Sequence, residues 1–128
     1  MRRTDQRREA VFALYQHDVT GQPVDAALRG DARPFTRALA EGVVEHGEEL
    51  DALIERHAEG WTLDRIAPLE RNILRVALFE LLHRSDVPAE VAIDEAVEAA
   101  KELCSAETPA FVNGILGAAA REHARAAQ

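Results

Sequence analysis

The stretch PLERNILRVALFELLH, running from Pro68 to His83, decides the fold. Within it Ile73, Leu74, Ala77, Leu78, Leu81 and Leu82 recur at the three- and four-residue steps that place side chains on one face of a helix. The resulting stripe is wider than a single partner helix would cover, so this segment is expected to be the central helix of an all-α chain, buried against several neighbours. Pro68 suits its first turn, where a backbone N–H would be unpaired in any case. On its N-terminal side Gly60 ends the preceding helix, and Thr62 and Leu63 open a turn.

Working outward, the same periodicity predicts a helix from Pro34 to about Ala58. It carries Phe35, Leu39, Val43, Leu50, Ile54 and His57, with one weak turn around Glu45 to Gly47. Before it, Val11, Leu14 and Tyr15 mark a helix over residues 5 to 19, with Thr4 as N-cap. Gly21, Pro23 and Gly30 punctuate the intervening loop, which has room for one helical turn from Asp25 to Leu28. Downstream, Pro88 opens a helix in which Ile93, Ala96, Val97, Ala100 and Cys104 repeat at helical spacing. Thr108 and Pro109 read as N-cap and first residue of a last helix, whose buried stripe is Val112, Ile115, Leu116 and Ala119. Gly114 inside that helix costs roughly 1 kcal/mol against alanine, which points to a close helix contact or an exposed backbone. No strand pattern, internal repeat or domain linker is present in the sequence.

The chain has 128 residues, the size of one domain that builds its core without metal or disulfide. Its single cysteine, Cys104, has no internal partner. No apolar run approaches the roughly 18 residues of a membrane span, and the opening MRRTDQRR is not followed by a signal-peptide core. A cytoplasmic location is therefore expected. A net charge of -8 argues against broad, non-specific affinity for nucleic acid, because such affinity comes from clustered positive charge. Any RNA site must be local. Lys101 is the only lysine, and the remaining cations are arginines, whose planar forks suit phosphate and base recognition. A GC-rich genome would produce the same bias.

The residues do not assemble into a catalytic pattern. Glu41, Glu45, Glu48, Glu49, Asp51, Glu55 and Glu59 crowd one helix, and Asp94, Glu95, Glu98 and Glu102 another, as solvated faces do. No carboxylate is expected to lie deep in a pocket, so acid–base chemistry of the hydrolase type has no support. The five histidines, at positions 17, 46, 57, 83 and 123, include no H-x-x-x-H pair, and no metal or cofactor site is read from them. Cys104 lies on an apolar repeat, where a thiol is inert. Neither a glycine-rich phosphate loop nor a nucleophile elbow occurs. The chain is expected not to be an enzyme.

What the sequence does offer is a basic edge. Arg2, Arg3, Arg7 and Arg8 stand against only Asp5 and Glu9, and Tyr15 follows on the same predicted helix. Arginines beside an aromatic hold single-stranded RNA by neutralising phosphates and stacking on bases. Arginines unpaired at a mobile terminus have little structural use, which favours this role for Arg7 and Arg8. Tyr15 also lies on the core stripe.

Several blocks carry a resemblance. WTLDRI (61–66), LERNILRVALFE (69–80) and RSDVP (84–88) resemble the central signature of the NusB family of bacterial antitermination factors. VAIDEAVEAAK (91–101) is similar to that family's fourth-helix motif and FVNGIL (111–116) to its last, while ALY (13–15) matches near the start. The resemblance spans nearly the whole chain except the loop at residues 20 to 33. It implies an all-α bundle of two packed helical sub-bundles with six to seven helices. It further implies a role in ribosomal RNA transcription through a boxA RNA element, bound with NusE, a small-subunit ribosomal protein. Together these would join the RNA polymerase antitermination complex. Carried over by position, the RNA surface comprises the basic segment with Arg7, then Tyr15, Lys101, Phe111 and Asn113, and the NusE surface includes Glu70 and Arg75.

Each of these residues has a structural alternative. Phe111 also reads as core, Asn113 as a helix-packing hydrogen bonder, and Arg75 as an intrahelical partner of Glu70 or of the neighbours of Phe79. Asp94 stands where the family motif often has asparagine, and Phe79 where tyrosine is frequent. After Leu116 come Gly117 and an alanine run, where relatives often carry an aspartate and a lysine. The fold also resembles the N-terminal RNA-binding region of some ribosomal RNA cytosine methyltransferases, but no catalytic domain follows before Gln128, so a free-standing protein is expected. A helical protein-interaction or homodimer module, with the arginine edge incidental, is the alternative function.

Overall fold

The computed structural model describes residues 1–127. Among the described residues there are seven α-helices: α1 (Arg3–Thr20), α2 (Val24–Ala27), α3 (Pro34–Glu45), α4 (Gly47–His57), α5 (Pro68–His83), α6 (Ala89–Leu103) and α7 (Thr108–Ala126), with a 3₁₀ turn at Leu63–Arg65. No strand occurs among the described residues.

Helix α5 is central, packing against α1, α3, α4, α6 and α7. Asn72, Ile73, Leu74 and Val76 through Glu80 are all buried along it, and this unbroken run needs neighbours on every side. The buried face is shifted from the predicted stripe: Leu81 and Leu82 are only half-buried, while Val76 and Phe79 are inside. One sub-bundle is α1, α2 and α3; the other is α4, α6 and α7 around α5, which touches both. Their apolar residues merge into one core. Leu14, Leu39, Leu50, Ile54, Ile73, Leu74, Leu78 and Leu116 are almost fully excluded from water. Each such side chain stabilises the fold by about 1.5–3 kcal/mol before chain entropy is counted. Ala92, Ala96, Ala99 and Ala100 form the inner face of α6, and side chains this small let it lie close on its neighbours.

Helix boundaries follow local chemistry. Gly21 caps α1 in the left-handed region at φ 77°, its N–H donating to the His17 carbonyl. The weak turn expected near Glu45 to Gly47 is a break at His46, whose φ of -102° and ψ of 19° separate α3 from α4. Thr4 and Thr108 are not caps. Both lie inside their helices and bond across the fold instead, Thr4 to Glu95 at 2.9 Å and Thr108 to Glu70 at 2.7 Å. The close helix contact considered for Gly114 belongs to Gly42. A Cβ there would lie 2.1 Å from the Phe79 ring, whereas one on Gly114 would meet open space.

Candidate nucleic-acid interface

The basic segment is the first two turns of α1 and not a mobile terminus, and each arginine in it has an acidic partner. Arg2 pairs with Asp5 at 3.3 Å and Arg3 with Asp86 at 3.3 Å. The Arg3 guanidinium also lies 4.1 Å from the Phe35 ring centroid, a cation–π distance. Arg8 pairs with Glu102 near the end of α6, and Lys101 with Glu98 at 3.2 Å. Arg2, Arg3, Lys101, Tyr15 and Asn113 are exposed, and Arg8 is half-buried. Tyr15 was also read as a core residue; at 40% exposure its ring is accessible, and it lies two helical turns from Arg8 along the same face of α1.

Arg7 departs from the expectation of a free cation. It is 7% exposed, and its Nε and Nη2 donate to both oxygens of Glu80 on α5 at 2.8–3.0 Å. Glu95 on α6 stands 3.6 Å from its Nη1. The absence of a deeply buried carboxylate was likewise expected and is overturned, because Glu80 is 1% exposed. Burial pushes the Glu80 carboxyl above the usual carboxylate range, although the Arg7 fork opposes this. The crevice beside it holds only about 20 Å³, room for a water and not for a substrate. Arg7 and Glu80 therefore join α1 to α5 and present nothing to a reactant.

The residues implied as a partner surface also have internal bonds. Glu70 accepts from Thr108, which anchors the start of α7. Arg75 donates to Asp51 on α4 at 2.7 Å, to Asp18 on α1 at 2.9 Å and to Asn72 at 3.0 Å, and not to Glu70. Arg71 adds a two-nitrogen clasp on Asp18 at 2.7 and 2.8 Å. The bond from Arg71, with help from Asn72 and Arg75 and against the cost of burial, holds the Asp18 carboxyl down at about 2.

Phe111 is half-buried on α7, its ring edge-on to Trp61 at 6.0 Å and 65°. Together they wall a cleft of about 230 Å³, with Glu70, Ser105, Glu107 and Thr108 supplying its polar groups. Trp61 is 49% exposed and was not assigned a site role from the sequence, although a tryptophan left outside every helical stripe is a signal for one. Cys104 is half-buried at the end of α6, and burial together with the nearby Glu70 raises its thiol, which disfavours the nucleophilic thiolate.

A family model described as the NusB family matches residues 4–121. The chain belongs to the NusB family. It is 46% identical over 121 residues to the transcription antitermination protein NusB of Geobacillus kaustophilus, covering 91% of this chain and 93% of that protein. Among solved structures, NusB of T. maritima superposes with a TM-score of 0.87 at 36% identity, over 97% of this chain and 94% of that one. NusB from a crystal structure of antitermination factors NusB and NusE in complex with dsRNA gives a TM-score of 0.83 at 27% identity, over 94% and 96%. The NusB match thus takes in both sub-bundles, including the α2 segment that carried no sequence resemblance. No described helix is long and apolar enough to cross a membrane.

Proposed function

We propose that this chain is a cytoplasmic, non-catalytic antitermination factor that binds boxA-type single-stranded RNA jointly with NusE. In this role it joins the RNA polymerase antitermination complex and supports ribosomal RNA transcription. The observation that carries the proposal is the likeness, over nearly the whole chain, to a NusB solved with NusE and dsRNA; the preference for a single strand rests on the aromatics Tyr15 and Phe111. Arg2, Arg3, Arg8, Tyr15, Lys101, Phe111 and Asn113 form the RNA surface. Tyr15 and Phe111 stack on unpaired bases, which favours a single strand over a duplex. Arg7 acts indirectly, holding α1 in place through Glu80. The NusE surface includes Glu70, which faces α7, and Arg75, which faces α1 and α4.

The charge pattern favours weak RNA binding by this chain alone. In the free chain Arg2, Arg3, Arg8 and Lys101 each lie within salt-bridge reach of a carboxylate, so phosphates must displace internal partners. At a net charge of -8 the chain also repels RNA at long range. A basic partner such as a ribosomal protein offsets both. The test is fluorescence anisotropy of a labelled boxA-like RNA, titrated with this protein alone and with its cognate NusE at two salt concentrations. Binding that tightens at least tenfold with NusE, weakens with salt and prefers the single strand to its duplex is expected. If neither protein nor mixture binds, the RNA role fails and a protein-interaction module on the exposed Phe12, Tyr15 and Val19 of α1 takes its place.

A further inference from the structure

Three metal-type donors meet where α5 ends. His83 is the last residue of α5, His46 is the break between α3 and α4, and Glu49 lies in the first turn of α4. One donor atom from each lies within 4.8 Å of the other two. Both imidazoles approach the same carboxylate oxygen, Glu49 Oε1, with His83 Nε2 at 2.6 Å and His46 Nδ1 at 3.7 Å. The rings stack at 3.9 Å with 19° between their planes, and both stand within 6 Å of Phe79. Phe79 is itself buried against Gly42 and forms the floor beneath the two histidines.

We propose that His46, Glu49 and His83 form a binding site for a divalent transition-metal ion of the zinc type, which clamps the end of α5 to the α3–α4 break. Two neutral imidazoles and one carboxylate suit zinc, nickel or cobalt; calcium and magnesium prefer oxygen donors alone. Bonds of about 2.0–2.2 Å to one ion place neighbouring donors about 3–3.5 Å apart, and the separations of 2.6 and 3.7 Å bracket this. The stacked rings must unstack so that the in-plane lone pairs of the two imidazoles converge on one ion. The side chains are 29–50% exposed, so an ion reaches them from solvent. Without metal, His83 Nε2 and Glu49 Oε1 are in hydrogen-bond contact at 2.6 Å, and the ion replaces that contact. The carboxyl ends of α3 and α5, which favour a cation, face the site, and the amino end of α4 opposes them. Three protein ligands leave at least one position for water.

The experiment uses the full chain stripped with chelator, titrated with zinc chloride by calorimetry and scanned for thermal unfolding. Saturable binding of one ion per chain is expected, with a rise in melting temperature of about 5–10 °C at saturation. Cobalt in place of zinc is expected to give visible d–d bands without thiolate charge transfer. His46→Gln and His83→Gln should each weaken binding at least tenfold, while His123→Gln on α7 leaves it unchanged. No saturable site in the unaltered protein, a thiolate band implicating Cys104, or undiminished affinity in both variants with circular dichroism unchanged would each overturn the proposal.

Discussion

Arg7 has the most to lose from a single change. Its guanidinium and the Glu80 carboxylate are both withdrawn from water, and each is tolerated there because the other neutralises it. Replacing Arg7 by alanine leaves Glu80 buried with no bidentate partner, which is expected to cost about 3–5 kcal/mol in urea denaturation. An apolar pair, Arg7→Met with Glu80→Leu, is expected to recover most of that loss, since no charge is then stranded. A single-variant loss below about 1 kcal/mol would show that water reaches Glu80 and that the pair is an ordinary surface bridge. This contact was not legible in the sequence. The arginine run at residues 2 to 8 looks like a free cationic end because the partners of Arg3, Arg7 and Arg8 stand 73 or more positions away. Exposed Tyr15, Lys101 and Asn113 are placed on helices by period, and so are the i,i+3 acids of Arg2 and Lys101, but the acids facing Arg3, Arg7 and Arg8 come from distant parts of the chain.

At the scale of elements, periodicity served well where one helix face is apolar. Five longer helices follow from periodicity, with α3 and α4 expected as one helix weakened near Glu45 to Gly47, and the boundaries of α5 follow from Pro68 and His83. Periodicity failed where the determinant is a contact between helices. Gly42 attracted no attention in the sequence, yet it is the point at which α3 admits the Phe79 ring of α5. Alanine at position 42 should gain up to about 1 kcal/mol in helix propensity. The added methyl, however, would lie 2.1 Å from the Phe79 ring, so the ring or the helix must move. Overpacking of this kind costs about 1–3 kcal/mol, and a net destabilisation in the urea midpoint of Gly42→Ala is expected. A stabilised variant would mean that Phe79 has room to rotate away. The cluster of His46, Glu49 and His83 was hidden for the same reason: the two histidines are 37 positions apart, and the search for close spacing passed over them.

For the molecule as a whole, the balance of charge sets how RNA and partner divide the work. The chain is acidic overall, and its cationic edge is neutralised locally, Arg8 by Glu102 and Lys101 by Glu98, both carboxylates more than half exposed. Exposed bridges of this kind contribute at most about 1 kcal/mol, so RNA phosphates can displace them, at the expense of affinity. Removing the competing carboxylate should then strengthen RNA binding although nothing is added to the interface. Glu102→Gln is expected to tighten boxA binding about two- to fivefold in the anisotropy assay. Glu59→Gln changes the net charge by the same amount at an exposed position in the loop after α4, and supplies the control for long-range repulsion. Equal tightening in both variants would assign the effect to net charge alone. Tightening confined to Glu102→Gln would place phosphate at Arg8, and an unchanged affinity there would take Arg8 out of the RNA surface.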